Sequence, residues 1–175
     1  NQELGKIKVE GKYKEALKIF YTALYHAMIA PSTFCDVDGS YRGADGQAHE
    51  NPGYQTYTTF SLWDTYRAAM PLYSIFQSER YTDMINTMLA IYKEQDKLPV
   101  WHLHGCETNC MVGNPGIIPV ADAIVKDLPG IDYELAFEAM KASALRPDRG
   151  QEHRMKYGYL PCDLMNESVA YDLEY

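Results

Sequence analysis

Apolar residues recur every three or four positions along much of the chain, the spacing that places them on one face of an α-helix. The first such stretch covers residues 12–30 and is stopped by Pro31. Its apolar positions are Leu17, Phe20, Tyr21, Leu24, Tyr25 and Met28. We therefore predict an amphipathic helix as the first long element.

The same spacing predicts four further complete helices and the beginning of another. They cover residues 58–76, 81–95, 117–128, 132–145 and 167 onward. Pro71 would kink or interrupt the helix over 58–76, because proline removes an N–H donor from a helix interior. Asp132 is expected to cap the helix over 132–145 with its side-chain oxygen.

The segments between these helices differ in length and character. Residues 32–54 are rich in Gly, Asp and Asn without a sustained period, which predicts a long loop or a short hairpin. Residues 146–163 are also loop-like. Neither a strand array nor a fixed-period repeat is evident in the sequence. We therefore predict an all-α fold, in which long loops on one rim of a helical toroid build a pocket.

Residues 101–114, WHLHGCETNCMVGN, gather a Trp, two His, two Cys and one carboxylate, Glu107. Prolines flank the segment and two glycines punctuate it, so we predict an irregular loop. A single acid among aromatic and titratable neighbours is a candidate proton donor. Residue types alone slightly favour a structural alternative, a buried turn in which Glu107 only accepts hydrogen bonds from the backbone.

The same segment contains the ligand types of a zinc site. They are His102, His104, Cys106 and Cys110. Two His separated by one residue can both bind a metal from an extended segment, so a zinc hydrolase or a structural zinc module is an alternative. Their spacing matches no common zinc motif, which argues against it.

The acidic loop over residues 36–45 raises the question of calcium, because oxygen-rich loops bind that ion. Asp36, Asp38 and Asp45 supply carboxylates, but no Glu closes a twelve-residue loop that starts at Asp36. An EF-hand is therefore not expected, and these acids are better explained as solvated turn residues.

Composition and charge narrow the classes of partner. Hydrophobic residues make up 46% and charged residues 23%, which is ordinary for a globular domain. The 15 Tyr suit either a core or an amphipathic ligand such as a sugar. A net charge of −8 disfavours nucleic acid and anionic membranes as partners. No apolar run approaches membrane-spanning length, and the spacing of the four Cys does not indicate a redox compartment.

Six runs of sequence resemble the catalytic domain of glycoside hydrolase family 92, whose members are exo-acting α-mannosidases. The resemblance covers nearly the whole chain, with the blocks in the family's order. The runs are FYTALYHAMIAP (20–31), DVDGSYRG (36–43), YTTFSLWDTYRA (57–68), GCETNCMVGNPG (105–116), PVADAIVKD (119–127) and ESVAYDLEY (167–175).

The resemblance implies an (α/α)6 barrel, a bound calcium ion and hydrolysis of terminal α-linked mannose with inversion. A β-sandwich domain precedes the barrel in the family, and nothing in this sequence matches it. The 175 residues resemble only the first part of the barrel, so we expect them to pack against the remainder of the same enzyme. Family members usually act outside the cytoplasm, which implies a periplasmic or extracellular location.

The resemblance also implies roles for individual residues. Glu107 stands at the general acid of the family's G-x-E-T-x-C-M block. Trp63 and Asp64 match its W-D-T block and would shape the sugar site, and we place Trp101 with them as a substrate-binding residue. Glu167 resembles a position near the calcium site. The family's base carboxylates follow the E-S-V helix, beyond residue 175, so we expect the isolated chain to be inactive.

A helical interaction scaffold is the competing prediction from a non-enzyme class. Its signature would be a repeat period, which the sequence lacks, or a large exposed apolar groove. Detectable binding of mannose would count against it.

Overall fold

Helices form most of the regular structure in the computed structural model, which describes residues 2–174. A 3-10 turn at Leu4–Lys6 precedes the first helix. The helices are α1 (Lys14–Ala27), α2 (Leu62–Thr65), α3 (Ala69–Phe76), α4 (Ser78–Gln95), α5 (Ile117–Val125), α6 (Tyr133–Leu145), α7 (Gln151–Tyr157) and α8 (Ser168–Glu174).

Short antiparallel strands accompany the helices, so the all-α prediction is wrong. The strands are β1 (Ser32–Thr33), β2 (Tyr41–Arg42), β3 (Ala48–His49), β4 (Tyr57–Thr58), β5 (Phe60–Ser61), β6 (Trp101–Leu103) and β7 (Cys106–Glu107). β1 pairs with β4, β2 with β3, and β5, β6 and β7 form a three-stranded sheet in that order. Each strand has two or three residues, which is too short for an alternating pattern to mark it in the sequence.

The hydrophobic core is arranged around α4, which packs against α3, α5 and α6. Tyr81, Ile85 and Met88 are fully buried on one face of α4, at the spacing of successive helical turns. The Tyr81 hydroxyl donates a hydrogen bond to the carbonyl oxygen of Pro119, at 3.1 Å. Burial raises the pKa of Tyr81, so the phenol stays neutral inside the core. The helix predicted over residues 81–95 is confirmed, and it begins three residues earlier, at Ser78.

The helix predicted over 132–145 is confirmed together with its cap. The side chain of Asp132 accepts a hydrogen bond from the backbone N–H of Leu135, at 3.0 Å. The helix predicted over 117–128 forms as α5 but ends at Val125. The first predicted helix forms as α1, and Leu24 is its one buried residue. Of the other apolar positions predicted for α1, Tyr25 is exposed and the rest are half-buried.

A single helix over residues 58–76 was the wrong prediction. Thr58 and Phe60 lie in strands, and Thr59 between them has a φ of +65°, which no α-helix contains. The helical part is divided into α2 and α3, and Pro71 falls in the first turn of α3. Proline is tolerated there because the first N–H groups of a helix have no partner inside it. The break thus comes before the proline rather than at it.

Residues 146–163 are not entirely loop, as the sequence had suggested. α7 occupies Gln151–Tyr157 between Gly150 and Gly158, whose φ values of +89° and +79° bound the helix on both sides. The hairpin alternative for residues 32–54 is confirmed by the pairing of β2 with β3.

Candidate active site

The three-stranded sheet brings together two blocks that are about forty residues apart in the sequence. In the antiparallel ladder Ser61 lies opposite Trp101, and Phe60 lies opposite His102. His102 in turn lies opposite Glu107. Directly opposed residues of an antiparallel sheet project from the same face. Phe60, His102 and Glu107 therefore form one row across the sheet.

The segment over residues 101–114 begins as a β-hairpin, which corrects the prediction of an irregular loop throughout. His104 and Gly105 form the two-residue connection, with φ values of +50° and +77°. Positive φ at both central positions is the geometry of a type I′ turn, whose twist matches that of the flanking strands. The available sequence signal was the pair His104-Gly105, since glycine adopts a positive φ readily and is common in two-residue hairpin turns.

The Glu107 carboxylate is held by three backbone N–H groups. Oε2 accepts from Val100 at 2.7 Å, and Oε1 accepts from Trp101 at 3.0 Å and from Asn109 at 2.8 Å. These contacts are the backbone hydrogen bonds of the structural alternative. They also fix the direction of the side chain.

The three hydrogen bonds to Glu107 leave room for a proton on its carboxyl group. A carboxyl group offers about four lone-pair positions, of which these bonds use three. A proton on Oε2 would keep every N–H bond that the group accepts. The half-buried side chain is thus both oriented by the hairpin and able to act in proton transfer.

His102 is a buried neighbour of this carboxylate, with 3% of its surface exposed. Within the part of the chain that the structure describes, neither ring nitrogen has a hydrogen-bond partner. Burial lowers the pKa of His102, and the nearby charge of Glu107 opposes that effect. A neutral imidazole in the sheet is the consequence at neutral pH, as expected for a residue that lines the core.

The zinc alternative receives no support from the geometry. His102 is buried, whereas His104 is exposed and stacks against the ring of Phe34. Cys106 and Cys110 are exposed free thiols. Across residues 2–174, no group of three His, Cys, Asp or Glu side chains is placed to hold a metal ion.

Two of the acids in residues 36–45, Asp38 and Asp45, serve as turn residues, as expected. Asp38 accepts hydrogen bonds from the backbone N–H and the hydroxyl of Ser40, at 3.0 Å and 2.7 Å. Asp45 accepts from the backbone N–H of Gln47 at 2.9 Å and contacts His49. These hydrogen bonds lower the pKa of both carboxyl groups.

Trp63 and Asp64 lie next to the sheet, and Trp101 lies in it. Trp63 and Asp64 are in α2, which follows β5 directly, and Trp101 is opposite Ser61 at the end of that strand. The guanidinium of Arg67 lies over the Trp63 ring, 4.5 Å from its centroid. Asp64 is exposed and both Trp rings are half-buried. Strand pairing thus places all three close to the hairpin that carries Glu107.

Glu167 occupies a different position, immediately before α8. It is exposed, has a φ of +58°, and its carbonyl oxygen accepts the N–H of Tyr171 at 3.2 Å. The helix that it precedes is connected to the hairpin segment through Arg149, whose guanidinium lies 5.3 Å from the centroid of the Tyr171 ring. Glu167 therefore lies outside the three-stranded sheet.

Two polar residues that support the Glu107 segment, Lys97 and Arg149, were not identified from the sequence. Lys97 is buried and donates from Nζ to Oδ1 of Asn109. Arg149 donates from Nη1 to the backbone oxygen of Asn109, at 2.9 Å. Lys97 follows the end of α4 and Arg149 falls in a stretch that was expected to be loop, so no sequence signal marked either residue as support for this segment.

A separate cavity of about 650 Å³ lies between the β2–β3 hairpin and α4. Tyr41, Tyr54 and Glu94 are among its lining residues, whereas Glu107 and Trp63 are not. The cavity is therefore distinct from the hairpin site. Among the helices within residues 2–174, none has the length and apolar character needed to cross a membrane.

Comparison with known structures gives close matches to mannosidases. An α-mannosidase of family 92 from Bacteroides thetaiotaomicron is 42% identical, with a TM-score of 0.95 over 99% of this chain and 24% of that protein. An inverting mannosidase of the same family and organism is 30% identical, with a TM-score of 0.84 over 99% of this chain and 25% of that protein. The chain thus spans about a quarter of the structures that it matches.

Sequence comparisons agree with the structural ones. An uncharacterized secreted glycosidase of Arthroderma benhamiae is 27% identical over an alignment that covers 90% of this chain and 18% of that protein. The profile of the glycosyl hydrolase family 92 catalytic domain matches residues 1–175. Because the match extends over the whole sequence, the chain belongs to the glycosyl hydrolase family 92 catalytic domain.

Proposed function

We propose that this chain is part of the catalytic domain of an enzyme that removes terminal α-linked mannose from glycans, with inversion and with the assistance of calcium. The observation that carries the proposal is the 42% identity to an α-mannosidase over 99% of the chain, at a TM-score of 0.95. A structure of that enzyme in complex with mannoimidazole is equally similar. A helical interaction scaffold is not favoured, because the chain belongs to a hydrolase family.

The fold that we propose for the whole domain is an (α/α)6 barrel. The packing of α3 against α4 and of α5 against α6 supports it, because a barrel of this type is built from helix pairs. In this proposal residues 1–175 are the first part of the barrel, a β-sandwich domain precedes it, and the short sheets belong to its loops.

Glu107 is the general acid in this proposal. A glycosidic oxygen leaves readily only when it is protonated, and an inverting enzyme supplies that proton from one carboxylic acid. The position of Glu107 in the sequence GCETNCM and its rigid attachment to the hairpin support the assignment. The base that activates water is a second carboxylate, which we assign to no residue among the 175. We therefore propose that the isolated chain does not turn over.

Trp63, Asp64 and Trp101 are the proposed substrate-binding residues. An indole ring offers a flat apolar face to a sugar ring, and an exposed carboxylate accepts hydrogen bonds from hydroxyl groups. Trp63 and Asp64 lie in α2, directly after β5, and Trp101 lies in β6, the first strand of the hairpin that carries Glu107; this proximity supports a sugar site close to these strands.

The stereochemistry of the product tests the proposed reaction. Full-length enzyme that contains this chain is expected to release β-mannose first from an α-mannoside, because water attacks the face opposite to the leaving group. Proton NMR within minutes of mixing distinguishes the new β-anomer from the α-anomer that mutarotation forms later. Initial release of α-mannose would contradict inversion, and absence of mannose release would contradict the proposed activity.

Calcium is proposed with Glu167 as one of its ligands. Calcium takes six to eight oxygen ligands, whereas residues 2–174 bring no three His, Cys, Asp or Glu side chains together as a metal site. The described residues therefore do not form a calcium site by themselves. The exposed Glu167 carboxylate is proposed only as a contributor to a site that other parts of the enzyme complete.

The role of Glu167 has a direct test. Treatment of the full-length enzyme with a chelator is expected to lower turnover, and added calcium to restore it. Glu167→Gln should raise the calcium concentration that gives half-maximal activity by about ten-fold or more. Glu134→Gln, at an exposed acid in the first turn of α6, is the matched control and should leave that concentration unchanged. An unchanged calcium requirement in Glu167→Gln would remove Glu167 from the proposed site.

Partners and location follow from the same proposal. Large apolar side chains are exposed on α1, α6 and α8, among them Ile19, Phe137 and Leu173. Their exposure supports packing of this chain against the remainder of its own enzyme. The secreted glycosidase among the relatives supports a location outside the cytoplasm, periplasmic or extracellular.

A further inference from the structure

Lys97 is a buried cation close to the proposed acid. Its exposed surface is 5%, and it follows the end of α4 by two residues. Removing an ammonium group from water is costly unless the group is paired or hydrogen-bonded. Here Nζ donates to the side-chain oxygen Oδ1 of Asn109. A lysine buried to this extent does not serve the solubility of the surface, so its position requires another explanation.

Asn109 connects this lysine to Glu107. The backbone N–H of Asn109 donates to Oε1 of Glu107 at 2.8 Å, and its backbone oxygen accepts from Nη1 of Arg149 at 2.9 Å. Arg149 also donates to the backbone oxygen of Met111. Asn109 has a φ of +52°, a region that residues other than glycine rarely adopt without support. Its side chain, N–H and C=O are each engaged, so its conformation is fixed by its neighbours.

Electrostatic coupling accompanies these contacts. Burial lowers the pKa of Lys97, while the charges of Asp148 and Glu107 raise it and those of Arg149 and Arg146 lower it further. The negative charge of Glu107 thus favours the charged form of Lys97, in addition to the connection between the two residues through Asn109.

We propose that Lys97 is a positioning residue for Glu107, acting through Asn109, with Arg149 holding the same residue from the other side. The inference rests on the proposed role of Glu107 as general acid. Displacement of a reacting group by about 1 Å can cost about a hundred-fold in rate. A left-handed Asn109 that lost its side-chain bond would release one of the three donors that orient the carboxyl group.

A lysine with a purely structural role would give a different kinetic pattern. Loss of structural support lowers the amount of active enzyme and slows all substrates equally. Loss of acid positioning slows substrates in proportion to their need for protonation of the leaving group. The ratio of turnover on a mannose disaccharide to turnover on an aryl α-mannoside of low leaving-group pKa therefore separates the two.

The test compares Lys97→Met with wild type in the full-length enzyme. We expect kcat to fall by about ten-fold or more on the disaccharide and by less than about three-fold on the activated aryl mannoside, because the activated substrate needs little protonation. Lys93→Met is the matched control, since Lys93 lies in the last turn of α4, four residues before Lys97, and is exposed. It should leave both rates unchanged.

Asn109→Gly is a second variant, which decides the question if Lys97→Met fails to fold. Glycine adopts a positive φ without strain and keeps the backbone N–H that binds Glu107. It removes only the acceptor of Lys97. The inference predicts the same selective loss on the disaccharide as for Lys97→Met.

Glu107→Gln, measured alongside, distinguishes failure of the proposed general acid from failure of the proposed positioning role of Lys97. The inference is supported if Glu107→Gln, Lys97→Met and Asn109→Gly each lose more kcat on the disaccharide than on the aryl mannoside. It also requires that the double variant Lys97→Met/Glu107→Gln be less than about two-fold slower on the disaccharide than Glu107→Gln alone. A selective loss in Glu107→Gln, but equal or no losses in the other variants, overturns the inference and leaves the acid in place. Equal losses in Glu107→Gln itself overturn the proposed acid and the inference with it.

Discussion

Glu107→Gln in the full-length enzyme is expected to lower kcat on an unactivated α-mannoside by about 100- to 10,000-fold, the usual contribution of a general acid. Glutamine nearly preserves the shape of the side chain but has no proton to transfer. It also presents an amide NH2 where the carboxylate now accepts an N–H. One of the three backbone donors therefore loses its acceptor, at a cost of about 1–3 kcal/mol in stability.

The structural cost of Glu107→Gln requires its own control. Thermal unfolding and the KM of the variant report whether the hairpin still forms and still binds the sugar. Glu134→Gln makes the same chemical change at an exposed position on α6 and should retain wild-type kcat. If a folded Glu107→Gln enzyme keeps kcat within about three-fold of wild type, general-acid catalysis is performed elsewhere.

Phe60→Ala is expected to have the largest effect on stability, a loss of about 3–5 kcal/mol in the free energy of unfolding. Phe60 is fully buried in the core and lies opposite His102, in the row that ends at Glu107. Removing the ring leaves a cavity beneath the strand that carries the site, and the surrounding side chains relax into it only in part. Activity should fall with stability, because the hairpin loses its packing.

Phe137→Ala is the matched control for this prediction. The ring of Phe137 is 61% exposed on α6, so its removal creates no core cavity. Thermal unfolding of the full-length enzyme compares the two variants with wild type. A midpoint for Phe60→Ala that is no lower than that of Phe137→Ala would show that Phe60 does not support the core as the structure indicates.

The sequence predicted the long helices well because their signal is long. The eighteen residues of α4 repeat the helical spacing several times. At α6 two signals coincide, because Asp132 is a capping residue and a run of helical spacing follows it directly. The strands around the site carry no such signal. A two-residue strand such as β7 is defined by its partner β6, and pairing between distant segments cannot be inferred from local periodicity.

The sequence predicted which residue types form the candidate site, but not how they are arranged. Glu107 was conspicuous as the one acid in its segment. Its three backbone donors depend on the register of the hairpin and on the conformation of Asn109, and neither is encoded locally. The burial of Lys97 was likewise unforeseen, because lysine is one of the residue types most often exposed.

The most direct test of the central claim is the leaving-group dependence of Glu107→Gln. Wild type and variant are assayed on a mannose disaccharide and on an aryl α-mannoside with a leaving group of low pKa. A general acid at Glu107 predicts a large loss on the disaccharide and a small loss on the aryl substrate, which departs without a proton. Equal losses on the two substrates would contradict it and would make Glu107 a structural or sugar-binding residue.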